Sequence, residues 1–254
     1  MIYITGDCHG EFSKLSAHSF PEQKEMTKDD FVIICGDFGA VWNAKGASPS
    51  EEYWLKWLDE KPFTTLFVDG NHENFDRLNS EFEIIPFHGG KAHKLNNSVY
   101  HLMRGEIFEL DGKTFFAFGG AQSHDIDDGI LSREDFASDY AFREKARRWR
   151  KARKNFRIKN ETWWEQELPC DEEIENAERN LERVNRTVDY VISHCAPYSI
   201  AAAAAFEKAN RLTMYFEDLA RRLSFKYWFF GHYHDDRKIM GKFILLYDQI
   251  IKLP

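Results

Sequence analysis

Short apolar runs that stop abruptly on metal-binding residues constrain this chain more than any other feature. Ile2-Tyr3-Ile4 runs into Gly6-Asp7-Cys8-His9, and Phe31–Cys35 into Gly36-Asp37. Thr64–Val68 is followed by Gly70-Asn71-His72-Glu73, Tyr190–Ser193 by His194, and Tyr227–Phe230 by Gly231-His232-Tyr233-His234. Runs such as FVIIC are apolar at consecutive positions, as in strands covered on both faces. In open α/β sheets, ligands bind beyond the carboxyl ends of strands, where loops from different strands converge. The pattern therefore predicts that side chains from both ends of the chain meet in one place.

Helical patterns fall between these runs. They are expected at about Glu11–His18, at Glu51–Asp59, over Cys170–Val184 with Ile174, Ala177 and Leu181 on one face, and from Ala201 towards Leu223. Asp111-Gly112 reads as a hairpin turn. Strands alternating with helices predict an α/β fold, and the hairpins predict partly mixed sheets. The absence of repeats and of Gly/Ser/Pro linkers predicts one domain over all 254 residues.

Composition excludes several classes. A net charge of −8 disfavours a protein that coats nucleic acid over its whole surface. No run approaches the roughly 20 apolar residues of a bilayer span, and no signal-peptide pattern opens the chain. The expected setting is the cytoplasm, with no membrane partner and with Cys8, Cys35, Cys170 and Cys195 reduced. His18, His88, His93 and His101 read as surface or core histidines, and Trp163 and Trp164 as packing residues.

Residues 142–159 break the charge balance. Ten basic residues against Glu144 alone give a local charge of +9, leaving −17 for the remainder. Phe142, Ala146, Trp149 and Phe156 share one face of a helix, so an amphipathic basic helix is expected, within a helical insertion at about 135–165. It could cap the fold, recruit a polyanion such as a nucleic acid or nucleotide, or dock a protein. Arg147 and Arg150 are its candidate substrate contacts.

The strand-end residues carry the chemistry. Imidazole nitrogens with carboxylate and amide oxygens suit divalent Mn, Fe, Zn or Ni. Asp7, His9, Asp37, Asn71, His194, His232 and His234 are too many for one ion with an open position, and suit two ions sharing a carboxylate. His124, after Gly119-Gly120 at another strand end, is a candidate to face substrate.

GDCHG, GDFG, GNHE, SHC and GHYH, in that order, resemble the motif series of calcineurin-like metallophosphoesterases, from residue 5 to about 236. GDFGAVWN, FVDGNHENFDRL, LMRG, GGAQS and WWEQELP resemble small bacterial and phage members. GDFGAVWN with GNHE also resembles RNA lariat-debranching enzymes, many of which carry Cys at the position of Asp7. The resemblance implies a four-layer α/β/β/α fold, two mixed sheets packed as a sandwich and flanked by helices. It implies that Asp7, His9 and His234 bind one metal and Asn71, His194 and His232 the other, with Asp37 bridging. His72 would protonate the leaving oxygen or stabilise the phosphate, and Glu73 would orient it.

The implied reaction is hydrolysis of a phosphate ester by a metal-bridging hydroxide, with two divalent ions, manganese favoured. Asn71 would also hold a phosphoryl oxygen. A phosphodiester, nucleotide or nucleic acid is favoured over a phosphomonoester. The competing reading is a non-catalytic scaffold on the same fold.

Overall fold

The computed structural model of the protein describes residues 1–205 and 208–253. Its strands are β1 (Ile2–Thr5), β2 (Phe31–Ile34), β3 (Thr64–Phe67), β4 (Glu83–Phe87), β5 (Gly90–Lys94), β6 (Val99–Leu102), β7 (Glu106–Leu110) and β8 (Lys113–Phe118). They continue as β9 (Gly129–Leu131), β10 (Phe156–Ile158), β11 (Tyr190–Ser193), β12 (Tyr227–Phe230), β13 (Arg237–Ile239), β14 (Phe243–Leu245) and β15 (Ile250–Lys252). The α-helices are α1 (Pro49–Asp59), α2 (Phe75–Ser80), α3 (Asp139–Lys151), α4 (Asp171–Arg183), α5 (Tyr198–Ala205) and α6 (Arg211–Arg222).

One sheet has the order β15-β1-β2-β3-β6-β5-β4 and the other β13-β14-β12-β11-β8-β7, while β9 and β10 pair separately. In the first, β1, β2, β3 and β6 are parallel, with antiparallel strands outside them. In the second, β8, β11, β12 and β14 are parallel, and β7 and β13 antiparallel. Both sheets are mixed, as the sequence pattern predicts. Asp111 and Gly112 both take positive φ (51° and 68°), the conformation a tight hairpin requires.

Strand alternation builds the layers. Ile2, Ile4, Phe31, Ile33 and Leu66 face Phe115, Ala117, Tyr190 and Ile192 of the other sheet. Tyr3, Val32, Ile34 and Phe67 point the other way, onto Leu58 of α1. Ala177 and Leu181 of α4 and Leu212, Phe216 and Leu219 of α6 cover the outer face of the second sheet. The result is two mixed sheets sandwiched between helices. β1, β2, β3 and β11 are buried at every position, which is why they read as unbroken apolar runs. Among the described residues, no helix is long and apolar enough to cross a membrane.

Three expectations are corrected, and one hairpin is added. The segment 11–18 holds only a 3₁₀ turn at Ser13–Leu15. Lys14 Nζ donates to the carbonyls of Gly6, Asp7 and Tyr247 at 2.9, 2.7 and 2.7 Å, and this tether replaces helical pairing. The helix expected from Ala201 to Leu223 is two: Asn210 restarts it as α6, its side chain accepting from the amides of Leu212 and Thr213. Residues 142–159 are not one helix, because α3 ends at Lys151 and Phe156–Ile158 extends as β10 beside β9. Phe142, Ala146, Trp149 and Phe156 still pack together, with Leu131 and Ile158, in a small core of their own. The β4–β5 hairpin was not expected; its turn places His88 and Gly89 at positive φ, and Pro86 lies on an edge strand.

A buried glutamate ties this small unit to the sheets. Glu167 accepts from the Ser123 amide at 2.9 Å and from its hydroxyl at 2.8 Å. Burial pushes its pKa up to about 8, against those hydrogen bonds. An unfolded glutamate titrates near 4.3, at about four pH units below, so the folded state binds the extra proton across that range. Stability from this group is therefore full at low pH and is lost as pH rises towards 8. Glu167→Gln should flatten the fall in Tm between about pH 5 and about pH 8. A melting profile parallel to that of the wild type would contradict this.

Candidate metal centre

Every predicted ligand lies just beyond a parallel strand. β1 delivers Asp7 and His9, β2 Asp37, β3 Asn71 and His72, β11 His194, and β12 His232 and His234. The main chain laces these loops together. The amides of Cys8 and His9 donate to the Asp37 carbonyl at 3.0 and 2.7 Å, and the Gly231 amide to the His194 carbonyl at 3.0 Å. His9, Asp37, His232 and His234 take φ values of 50, 45, 71 and 49°, a region rarely used outside glycine. Such backbone strain concentrates at functional sites, where the surroundings hold it in place.

Two glycines make room for the carboxylates. A Cβ on Gly231 would lie 2.1 Å from Asp7 Oδ1, and one on Gly70 would lie 2.1 Å from Asp37 Oδ1. The ligand atoms then fall into groups. Those of Asp7, His9 and His234 lie within 4.8 Å of one another, as do those of Asp37, His194 and His232. A third group, His9, Asp37 and His72, overlaps both. His234 Nε2 is 3.2 Å from Asp7 Oδ2 and 3.1 Å from His9 Nε2. His194 Nε2 is 3.2 Å from Asp37 Oδ1. His194 Nδ1 faces the Cys35 carbonyl at 2.8 Å, which assigns the proton to Nδ1 and leaves Nε2 as the ligand atom.

These residues fit metal ions. Asn71 Oδ1, His194 Nε2 and His232 Nε2 are buried with no hydrogen-bond partner. Leaving such an atom unsatisfied costs about 1–3 kcal/mol, and three of them lie in the loops around Asp37. Nitrogen and oxygen donors in this mixture suit a divalent transition metal.

Charge points the same way. Burial opposes ionisation of Asp37, yet His194, His72 and His9 hold its carboxyl well below the usual range. Burial would depress His194, but Asp37 and Asp7 outweigh it and push its pKa up to about 10. His232 is held well below its ordinary value by burial and by His194. Two buried carboxylates thus draw positive charge to this point.

Glu73 does not reach the His72 ring. Its wholly buried carboxylate accepts from the amides of Phe38 at 2.7 Å, Gly70 at 2.9 Å and Gly39 at 3.4 Å, clasping two ligand loops. Burial, with repulsion from Asp37, raises its pKa. His72 is oriented by other contacts. Its amide donates to Asp37 Oδ1 at 2.9 Å, and its ring stacks on Trp42 with centroids 5.1 Å apart. Its Nε2 lies 3.4 Å from Arg157 Nη2. A guanidinium only donates, so this contact favours a neutral ring with its proton on Nδ1. Burial lowers the His72 pKa and Arg157 adds to that, against the pull of Asp37.

Arg157 is the site residue that sequence reasoning missed, counting it only as one charge in a basic run. The signal was local: Phe156 and Ile158 flank it at strand spacing, turning Arg157 away from the small core. Arg147 is not brought to the centre; its guanidinium makes two 3.0 Å bonds to Glu144 on the exposed face of α3. Arg150 lines a hollow that it shares with Arg157. His124 stacks on His232 with centroids 4.3 Å apart, its own ring exposed. Trp164 is fully buried, donating to Asp76 Oδ2 at 3.0 Å and meeting Trp42 edge-on. Cys8, Cys35 and Cys195 are buried and Cys170 is exposed.

Residues 1–236 match the family of calcineurin-like phosphoesterases. The chain belongs to that family. Lariat debranching enzyme A of Xenopus laevis is 30% identical over 151 residues, covering 54% of this chain and 27% of that protein. Lariat debranching enzyme of Danio rerio is 29% identical over 141 residues, covering 50% of this chain and 23% of that protein. This phosphoesterase therefore spans about a quarter of the length of these curated relatives, and its homology to them is distant.

Gly231→Ala tests the packing around the phosphoesterase centre. The added methyl must displace the Asp7 carboxylate, so metal affinity should fall by about 10–100-fold, the range for lost ligand support. Metal titration followed by elemental analysis reads this directly. Wild-type affinity in a folded Gly231→Ala protein would show that Asp7 is not held as described.

Proposed function

We propose that this phosphoesterase hydrolyses its substrate at a dinuclear centre, and that the substrate is a phosphodiester of a nucleotide or nucleic acid. One observation carries the reading: Asp37 belongs to two groups of ligand atoms, with buried oxygen and nitrogen atoms that lack a hydrogen-bond partner around it. Asp7, His9 and His234 would hold one divalent ion, and Asn71, His194 and His232 the other, with Asp37 between them. Manganese is favoured, and iron, zinc or nickel accept the same donors. When bound, the two ions supply neutralisation of the phosphoryl charge and an activated water.

The chain's own residues do the rest. Asn71 offers its side-chain N–H group to a phosphoryl oxygen once its carbonyl oxygen is engaged. His72, held between Trp42 and Arg157, would offer its Nδ1–H as a hydrogen bond to a phosphoryl oxygen, and would have to take up a proton at Nε2 before it could protonate the leaving oxygen. Arg157 brings a permanent positive charge beside it, where charge develops on the departing oxygen. His124, stacked over His232, lies on the open side where substrate arrives. The diester preference is supported by the debranching enzymes that the chain matches. A scaffold that had given up catalysis would not need the overlapping Asp and His groups that share His9 and Asp37, with His72 among them.

The test is Mn²⁺-dependent release of p-nitrophenol from bis-p-nitrophenyl phosphate and p-nitrophenyl phosphate. The diester should be the better substrate. His72→Ala should lower kcat by about 10²–10³-fold, the usual weight of one positioned hydrogen-bond donor to developing charge, while metal content stays near that of the wild type. Asp37→Asn should lose both activity and metal. Wild-type kcat in His72→Ala on a diester with a poor leaving group would remove His72 from the chemistry.

A further inference from the structure

We infer that the hollow between α3 and β10 is a subsite for a second phosphate on the same substrate, one nucleoside away from the ester being hydrolysed. The inference rests on the phosphodiesterase reading above and names the part of the substrate beyond the scissile bond. The hollow measures about 440 Å³ and is lined by Arg150, Lys154, Phe156, Arg157, Ile158 and Thr162. Three of those six are cations and none is an acid.

The cations are held from behind. Arg157 Nε bonds Asp125 at 2.7 Å and its Nη1 donates to the Thr162 carbonyl at 3.0 Å. Lys154 Nζ bonds Asp128 at 2.5 Å, and its charge lies 5.2 Å from the centre of the Trp149 ring. Asp125 and Asp128 are not among the residues lining the hollow, so they fix these side chains without covering the opening. Charges already fixed lose less conformational freedom when an anion arrives. Arg150 makes no ion pair among the described residues, and its guanidinium is exposed at the rim.

Position decides the assignment. Arg157 lines the hollow and also lies 3.4 Å from His72, so one guanidinium joins it to the catalytic pocket. A substrate phosphate seated against Arg150 and Lys154 would therefore belong to the molecule whose other phosphate reaches His72. The unit enclosed by α3 and β10 has its own apolar core, which keeps its basic side facing outwards. A solvated cap needs no such link to the centre. The hollow's single aromatic, Phe156, offers an apolar wall beside the phosphate site, suited to a sugar or base.

Two diesters that differ by one group test this with the manganese-loaded full chain: thymidine 5′-(p-nitrophenyl phosphate) and the same compound carrying a 3′-phosphate. The 3′-phosphate should lower KM by about tenfold, the effect of one well-placed charged contact. Arg150→Ala/Lys154→Ala should erase that difference. Arg143→Ala/Lys151→Ala, an equal loss of two charges on α3 outside the hollow, should keep it. A second readout is equilibrium binding of a fluorescein-labelled phosphorothioate hexathymidylate across a salt series. There the double variant should flatten the log–log salt slope by about 0.7, the loss of one single-strand phosphate contact.

Equal KM values for the two diesters, with an unchanged salt slope in the double variant, would overturn the subsite and leave the phosphodiesterase reading standing. Failure to cleave either diester, with a slope that still depends on Arg150 and Lys154, would fault the catalytic reading and keep the subsite.

Discussion

Two carboxylates buried side by side, Asp7 and Asp37, set the terms for everything around them. Both are almost wholly removed from solvent at the ends of neighbouring strands. Ionised groups in such a place must be answered by positive charge or by hydrogen bonds. Amides of His232 and His72 supply part of the answer, and a ring of histidines supplies more. The glycines beside them are there because any side chain would collide with carboxylate oxygen. The strained backbone at four of the candidate ligands follows from the same demand, since loops from five strands must turn inward at one point.

Around this centre lies a ring of supporting contacts within the chain. Glu73 clasps two ligand loops through their amides. Asp69, next to Gly70, is held by Arg104 at 2.5 Å and by His101 at 3.0 Å. Lys14 ties the first ligand loop to the Tyr247 carbonyl near the chain's other end. Glu73 and Lys14 fix main chain, in part across large separations in sequence, while Arg104 and His101 hold the Asp69 side chain. Stability of the fold and readiness of the site are therefore carried by the same hydrogen bonds.

The legible part of the sequence was the part with a short-range signal. A strand buried on both faces writes itself as an apolar run, and a ligand loop follows it directly, so FVIIC-GD and YWFF-GHYH could be placed by eye. Longer-range partners leave no such trace. Glu73 sits beside His72 in sequence, yet its carboxylate is taken by amides from another loop. Lys14 and Asn210 redirect chain that otherwise has helical composition. In residues 142–159, the high charge masked a change of period from helix to strand near Arg153, where φ turns positive. That change is what lifts Arg157 out of the basic run and carries it to His72.

The most direct measurement is anomalous diffraction from crystals grown with manganese. Two peaks, one on each side of the Asp37 carboxylate, are expected: the first against Asp7, His9 and His234, the second against Asn71, His194 and His232. A single peak, or manganese bound away from Asp37, would contradict the account.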